Sequence, residues 1–238
     1  MMKRILNILL LLAVAVNLCS CSEADRVGDP TAPDGNDYVI DYGTLYIAEG
    51  VTDRYIIRDD GIALLVSSDY SGLSTANPPI ISGNRVLINY HVLGDLDPMQ
   101  VPESCKAGYT IQLNALLAIP CQQITLGQEP TRECSPVVVS SIHIGKAHLD
   151  LRLDYKSLTN QKHKFELYCP DPDAQVLDLY LVHIGDDDKN NSGAMISSHR
   201  ISFDTTPLRS NEPRKIVLHW VDITGAKRGH RGEYNTWP

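Results

Sequence analysis

The chain has 238 residues, of which 43% are apolar and 21% charged, and its formal net charge is −8. This balance is typical of globular proteins and excludes both a collagen-like chain and a wholly disordered one. The length allows one large domain or two small ones.

The N-terminus has the features of a secretory signal. Lys3 and Arg4 precede an apolar run over residues 5–18. A positive start and a short apolar core are typical of an export signal, because a membrane-spanning helix needs roughly 20 apolar residues. Residues 1–20 are therefore predicted to be a signal peptide.

The end of the apolar run is more specific. Leu-Cys-Ser-Cys at residues 18–21 resembles a bacterial lipobox, in which the final cysteine is acylated and begins the mature chain. In this interpretation Cys21 carries the lipids, and several acyl chains hold a soluble domain on a bilayer at about 0.8 kcal/mol for each buried CH₂. Cys19 is the competing candidate for lipidation, and a plain secretory signal is the alternative.

Residues 21–41 are predicted to form an acidic, flexible tether. They hold six acidic residues against one base, Arg26, and their prolines and glycines interrupt regular structure. Such a segment buries too little apolar surface to fold alone, and its like charges repel and extend it. Glu23 and Asp25 resemble the surface-export signal of Bacteroidetes lipoproteins. We therefore expect an outer-membrane lipoprotein of the cell envelope, exposed at the surface, with the membrane as a partner through the lipid anchor.

The mature chain would be strongly acidic. Loss of the signal removes two bases and no acid, which makes the net charge −10. A polyanion at this charge is repelled by phosphate backbones, so nucleic acid is not an expected partner. One basic cluster, Lys-Arg-Gly-His-Arg at residues 227–231, falls in a segment, 225–238, that is predicted to be a mobile C-terminal tail.

Beyond the tether, apolar and polar residues alternate with a period of two, which predicts β-strands, and no convincing amphipathic helix appears. Residues 55–58 and 62–67 flank Asp-Asp-Gly at 59–61, a strong hairpin turn. Five or six strands over residues 42–130 predict a small OB-fold-like barrel.

The second half predicts a β-sandwich over residues 135–224. About six short alternating segments follow a proline-containing boundary at 127–136. Each segment has one apolar face, so each sheet needs a partner sheet to cover it. The predicted fold class is therefore all-β, a barrel followed by a sandwich.

Several segments, taken in order, resemble one family. After the lipobox and the tether come GNRVLINY at 83–90, HLDLRLDY at 148–155, HKFEL at 163–167, LYLVH at 179–183 and SFD at 202–204. Together they resemble the NigD-like lipoproteins of Bacteroidetes over nearly all of the mature chain. The resemblance implies an N-terminal OB domain and a C-terminal β-sandwich. Asp150 stands where such families often have Asn, and no catalytic residue can be carried over.

Four cysteines remain after the lipobox, and none forms a Cys-x-x-Cys motif. An exported protein can form disulfides, and four cysteines allow three pairings. Cys121 with Cys134 would close the shortest loop near the domain boundary, so we hypothesise that pair. Free, partly buried thiols are the alternative.

No metal or cofactor is predicted. His143 and His148 could approach across a hairpin, but no third ligand stands at a recognisable spacing. His183, at a strand end, is typical of a hydrogen-bonded core or rim histidine. The acidic loops 171–173 and 186–188 would lie at opposite ends of one hairpin, and the second departs from a calcium loop at its Gly and Glu positions.

No nucleophile elbow, phosphate-binding loop or dinucleotide fingerprint is present in the sequence. We therefore expect a non-catalytic binding or interaction module whose partner is a protein or an oligosaccharide. OB-folds often bind ligands along one barrel face, where Asn89 and His91 would lie. An accessory or protective protein beside a toxin or transport system is one alternative, and a hydrolase with a site assembled from distant loops is another.

Overall fold

The computed structural model describes residues 38–47, 53–67, 80–158, 162–185 and 193–234. The first five strands are β1 (Val39–Ile47), β2 (Arg54–Arg58), β3 (Ile62–Val66), β4 (Arg85–Asp95) and β5 (Ala107–Ile119). They close into a barrel in the order β1-β2-β3-β5-β4. The β3–β5 pair is parallel and the other neighbours are antiparallel. A short 3-10 helix, Pro98–Gln100, lies between β4 and β5.

The predicted Asp-Asp-Gly turn joins β2 to β3, which pair as an antiparallel hairpin. Gly61 has a φ of +80°, a conformation that side chains disfavour and glycine adopts freely. Asp60 Oδ1 accepts a hydrogen bond from the backbone N–H of Ile62 at 3.3 Å, which fixes the start of β3.

The barrel core follows from the alternation along β4. Val86, Ile88 and Tyr90 are each at most 1% exposed and face the interior. The hydroxyl of Tyr90 donates to Asp41 at 2.8 Å and accepts from Arg58 at 3.2 Å. Tyr90 is thus a core residue whose polar atom has partners, as burial requires.

The second half contains nine strands and a 3-10 helix, Thr206–Leu208, among the described residues. The strands are β6 (Cys121–Gln123), β7 (Thr125–Leu126), β8 (Val138–Ile144), β9 (His148–Ser157), β10 (Lys164–Cys169), β11 (Val176–Ile184), β12 (Met195–Asp204), β13 (Arg214–Val221) and β14 (Lys227–Tyr234). One sheet has the order β14-β13-β11-β10-β7 and the other β6-β12-β9-β8. The predicted all-β architecture, a barrel followed by a sandwich, is confirmed.

The sandwich core lies between these two sheets. Alternate residues of β9 and β12 pack from one sheet against alternate residues of β10, β11 and β13 from the other. The fully buried members include Leu149, Leu151, Leu153, Phe203, Leu167, Leu177 and Leu179. Burial of such side chains stabilises the fold by about 1.5–3 kcal/mol each relative to exposure.

The predicted domain boundaries shift at two places. Strand β1 begins at Val39, inside the predicted tether, because it pairs with β4 from Val39↔Tyr90 onward. The barrel ends at Ile119 and not near residue 130, since β6 pairs with β12 and β7 with β10 of the sandwich. The signal peptide, Cys21 and the rest of the tether lie outside the described residues.

The predicted C-terminal tail is a strand in the structure. Residues 227–234 form β14, which pairs with β13 along its whole length. A tight turn makes this pairing geometrically accessible: Gly225 has a φ of +79°, and Asp222 accepts hydrogen bonds from the backbone of Thr224 and Ala226. The segment was predicted to be a tail because its composition is basic, although its backbone is extended. No helix in the described ranges is long and apolar enough to cross a membrane.

Candidate functional site

A charged cluster joins the barrel to the sandwich. Arg85, at the start of β4, has its side chain fully buried. Its guanidinium donates to both oxygens of Asp59, from the β2–β3 turn, at 2.8 and 2.6 Å. It also donates to both oxygens of Asp150, on β9, at 3.1 and 2.6 Å. One cation thus holds two carboxylates, one from each domain, and we call this arrangement the junction cluster.

Two rings extend the junction cluster. His143 of β8 lies with its Nε2 3.0 Å from Asp59, and because a carboxylate only accepts, this nitrogen carries the hydrogen. Tyr42 of β1 stacks on His143 with ring centroids 4.6 Å apart, and the guanidinium carbon of Arg85 is 5.5 Å from the Tyr42 ring. Arg200 of β12 donates to the Tyr42 hydroxyl at 3.0 Å.

Electrostatics hold Asp59 and Arg85 in their charged forms. Burial by itself would raise the pKa of Asp59, but hydrogen bonds from His143 and Arg85 outweigh it and lower the pKa to about 2. Burial likewise opposes the charge on Arg85, yet its bonds to Asp59 and Asp150 raise its pKa further. Asp59 and Arg85 therefore both stay charged at neutral pH.

Asp59, His143 and Asp150 are a chemically sensible donor set for a metal ion, since their ligand atoms lie within 4.8 Å of one another. The guanidinium of Arg85 already lies against both carboxylates, and a divalent cation there would be repelled by it. The donor set therefore fits a metal poorly, and the cluster is explained as a connection between domains.

Sequence reasoning missed this cluster. It singled out His143 with His148, whereas the structure brings His143 to Asp59 and Asp150. Arg85 is separated by 26 residues from Asp59 and by 65 from Asp150 along the chain. Only the packing of the barrel against the sandwich brings them together, so no local spacing reveals them.

Gly145 leaves the room that the junction cluster needs. A Cβ added at this position would overlap the carboxylate of Asp59. We expect Gly145→Ala to lower the free energy of unfolding by about 1–3 kcal/mol, as overpacked sites do. Urea unfolding measures this, with Gly94→Ala as the control, because nothing lies within 4 Å of a Cβ added there. Equal effects of the two substitutions would contradict the packing shown for Gly145.

Asp59 also makes stability depend on pH. Its folded pKa of about 2 lies below the ordinary 3.8, so its contribution is fully present above about pH 4 and is lost as the pH falls through 2. Between about pH 5 and 2 the native protein should lose of the order of 2 kcal/mol more than Asp59→Asn loses. Parallel pH profiles of the two proteins in urea unfolding would refute this.

A pair of histidines, His163 and His183, lies inside the sandwich. His183 is 2% exposed, and its Nδ1 donates to the carbonyl oxygen of Pro136 at 3.1 Å. Its Nε2 therefore accepts from Nδ1 of His163, 2.9 Å away. Phe165 stacks on His183 with centroids 4.7 Å apart. The prediction of a hydrogen-bonded core histidine is confirmed.

The hypothesised disulfide is not formed. All four described cysteines, Cys105, Cys121, Cys134 and Cys169, are free thiols. Cys121 is on β6 of the four-stranded sheet, whereas Cys134 lies against β11 of the other sheet, where its sulfur accepts from the His183 N–H at 3.3 Å. The two cysteines belong to different layers, so their closeness along the chain does not bring their sulfurs together.

The predicted binding face of the barrel lies on β4. Asn89 and His91 are half-buried on its outer side, and Asn89 accepts a hydrogen bond from Asn114 of β5 at 3.0 Å. The use of this face for binding stays a prediction. Of the two acidic loops, 171–173 forms the β10–β11 turn, and 186–188 lies outside the described residues.

The outer face of the five-stranded sheet carries a row of rings. The strand registers place Tyr168 beside Tyr180 and Tyr180 beside His219. The rings of Tyr180 and His219 stack, with centroids 4.8 Å apart and planes 18° apart. Asp178 accepts from His219 Nε2 at 2.7 Å, and Glu166 accepts from the Tyr168 hydroxyl at 2.6 Å. We call Tyr168, Tyr180 and His219 the ring row.

These rings face outward because their chain neighbours Leu167, Leu179 and Leu218 fill the sandwich core, and successive residues of a strand point to opposite sides. The alternation in the sequence gave the face of each residue. It did not give the order of the strands, which makes three separate residues into one row.

Solved structures share this architecture. No protein-family model matches the chain, and no curated protein has a significant match to it. A crystal structure of a protein from Parabacteroides distasonis, named as toxin-related, superposes with a TM-score of 0.60 at 21% identity, over 84% of this chain and 94% of that one. A NigD-like immunity protein from Bacteroides caccae gives 0.55 at 20% identity, over 82% and 96%. The chain has the fold of NigD-like proteins.

A third structure, of a Bacteroides fragilis protein named as a lipoprotein, gives a TM-score of 0.55 at 15% identity, over 85% of this chain and all of that one. The expected resemblance to NigD-like proteins is therefore confirmed at the level of the fold. Each of these names describes the neighbour, and none of the three names describes an enzyme.

Proposed function

We propose that this protein is a lipid-anchored, non-catalytic binding module of the cell envelope. Its lipid anchor would be Cys21, and its ligand would bind to the sandwich domain. The fold of a NigD-like protein, shared with a protein named as a lipoprotein, supports this general role. The outer membrane and the cell surface are the proposed location, on the lipobox and the acidic residues that follow it.

The ring row carries the proposal. Three partly exposed rings in register across one sheet make a continuous surface of the kind that binding sites use, because aromatic side chains give a large contact area at a small cost in conformational entropy. Arg85, Asp59 and Asp150, by contrast, are largely buried and pair with one another in the junction cluster. Ligand recognition at the sheet surface is better supported than chemistry at the junction.

Co-purification tests the proposal. The tagged, lipid-anchored protein would be recovered from its native envelope in mild detergent, beside a Tyr180→Ala variant. A stoichiometric partner or a bound glycan that is lost from the variant would support binding at the ring row. The same recovery from both proteins would contradict it. The matched control is Tyr46→Ala, since Tyr46 is an exposed ring on β1 of the barrel.

An accessory or protective role beside a toxin is the second candidate. The names of two neighbours, toxin-related and immunity protein, favour it. Deletion of the gene would then raise the sensitivity of the host to the toxin of its own locus. Unchanged sensitivity would count against this role and would leave the binding module in place.

A further inference from the structure

Strand β14 concentrates positive charge at one edge of an acidic protein. Lys227, Arg228, His230 and Arg231 are all exposed there, around Gly229. The chain as a whole has a net charge of −8. Because β14 is the edge strand of its sheet, this charge lies on an accessible rim.

The strand register sorts these side chains by face. Val217 of β13 pairs with Arg231, His219 with Gly229, and Val221 with Lys227. Directly paired residues of antiparallel strands point to the same side, so Lys227 and Arg231 lie on the outer face that carries the ring row. They are about 13 Å apart along the strand, with Gly229 midway.

Arg228 has a different role. Its Nε donates to Asp222 at 2.5 Å, and it pairs across the strands with Trp220 on the inner side. Neither Lys227 nor Arg231 has an ion-pair partner among the described residues. On β14, these two cations are therefore the ones able to meet an anion on the outer face.

Gly229 leaves one place of the ring row empty. Successive strands bring Tyr168, Tyr180, His219 and Gly229 into one line across the sheet. A Cβ built on Gly229 would lie 3.8 Å from Nδ1 of His219 and 4.0 Å from Cγ1 of Val217. Tyr180 covers one face of the His219 ring at a centroid distance of 4.8 Å. The opposite face of His219 thus borders the space above Gly229.

We infer that this space binds an acidic sugar of an oligosaccharide. A pyranose ring stacks on the open face of His219 above Gly229, and its carboxylate lies between the ammonium of Lys227 and the guanidinium of Arg231. Stacking and charge-assisted hydrogen bonds act together there. Asp178 holds the His219 ring in place through the bond to Nε2, and lies on the side away from the cations. This inference rests on the proposed function and names the ligand class of the same sheet face.

A long polyphosphate chain fits the site less well. A nucleic acid would have to follow a cationic track, whereas β14 has only two cations on its outer face, on a molecule that otherwise repels phosphate backbones. A single stacking place between two cations suits one charged ring. Short single-stranded DNA therefore serves as a competing probe in the test.

The experiment uses the full mature chain in mild detergent and isothermal titration with hexamers of galacturonic acid. Maltohexaose is the neutral comparison and hexathymidylate the anionic one. We expect binding of the galacturonate hexamer, at least about ten-fold weaker binding in Gly229→Val, and a similar loss in Lys227→Gln and in Arg231→Gln. Val suits an exposed strand, and the surroundings of Gly229 accept a Cβ, so the fold should persist, as circular dichroism would verify.

Two controls match these substitutions. Gly94→Ala changes a glycine on the barrel with open space around it, and Lys156→Gln removes an exposed cation from β9 of the other sheet. Both should bind as the native protein does. Equal affinity of Gly229→Val and the native protein would overturn the stacking site, and equal binding of maltohexaose would overturn the role of the cations.

Tighter binding of hexathymidylate than of galacturonate would assign the rim to phosphate and overturn the sugar. If no glycan binds while a protein partner co-purifies through Tyr180, the inference fails and the proposed function stands. If neither a glycan nor a partner depends on the ring row, both fail.

Discussion

Replacing Arg85 with methionine is expected to lower the free energy of unfolding by about 3–5 kcal/mol. The Arg85 side chain is fully buried and donates four hydrogen bonds to two carboxylates. Without it, Asp59 and Asp150 would face each other as anions in a region from which water is largely excluded. The loss thus reflects two uncompensated charges more than the value of the ion pairs themselves.

Urea unfolding at neutral pH would measure the loss, and the matched control is Arg152→Met, which removes an exposed arginine of β9. The control should change the free energy of unfolding by less than about 1 kcal/mol. Adding Asp150→Asn to Arg85→Met should restore part of the stability, since it removes one of the stranded anions. A loss below about 1 kcal/mol in Arg85→Met would show that Arg85 is not held as described.

Replacing Phe203 with alanine is expected to lower the free energy of unfolding by about 3–5 kcal/mol. Phe203 is 0% exposed on β12, within the core between the two sheets. The substitution removes the transfer free energy of the ring and leaves a cavity that paired strands on both sides prevent from collapsing.

Ile196 is the control on the same strand, because it is 79% exposed. We expect Ile196→Ala to stay within about 0.5 kcal/mol of the native protein. Thermal and urea unfolding of both variants would give the comparison. A similar effect of the two substitutions would contradict the burial that distinguishes them.

The alternation of apolar and polar residues was enough to predict most of the fold. It predicted the barrel and the sandwich, whose strands bury alternate residues such as Val86, Ile88 and Tyr90. It did so because a strand with one buried face needs alternate apolar residues, whatever its partners are. The Asp-Asp-Gly hairpin was also visible, since the turn itself demands Gly61.

The same reasoning failed wherever the fold depends on which strands pair with one another. Strands β6 and β7 follow the barrel in sequence but belong to the two sheets of the sandwich. Strand β14 has few apolar residues, because an edge strand needs to bury little, so composition alone suggested a tail. The Cys121–Cys134 pairing failed for the same reason, since neighbours in the chain were assigned to different layers.

The sequence by itself thus determined the all-β class and the buried face of most strands, and it predicts an export signal with Cys21 as the lipid anchor. These follow from short-range chemistry: an apolar run, a lipobox, a period of two. Only the tertiary structure decided that Arg85 bridges Asp59 and Asp150, and that His219 comes to lie between Tyr180 and Gly229. The order of the strands and the contact between the domains depend on packing between segments that are distant in the chain. The spacing of residues within one segment therefore does not predict them.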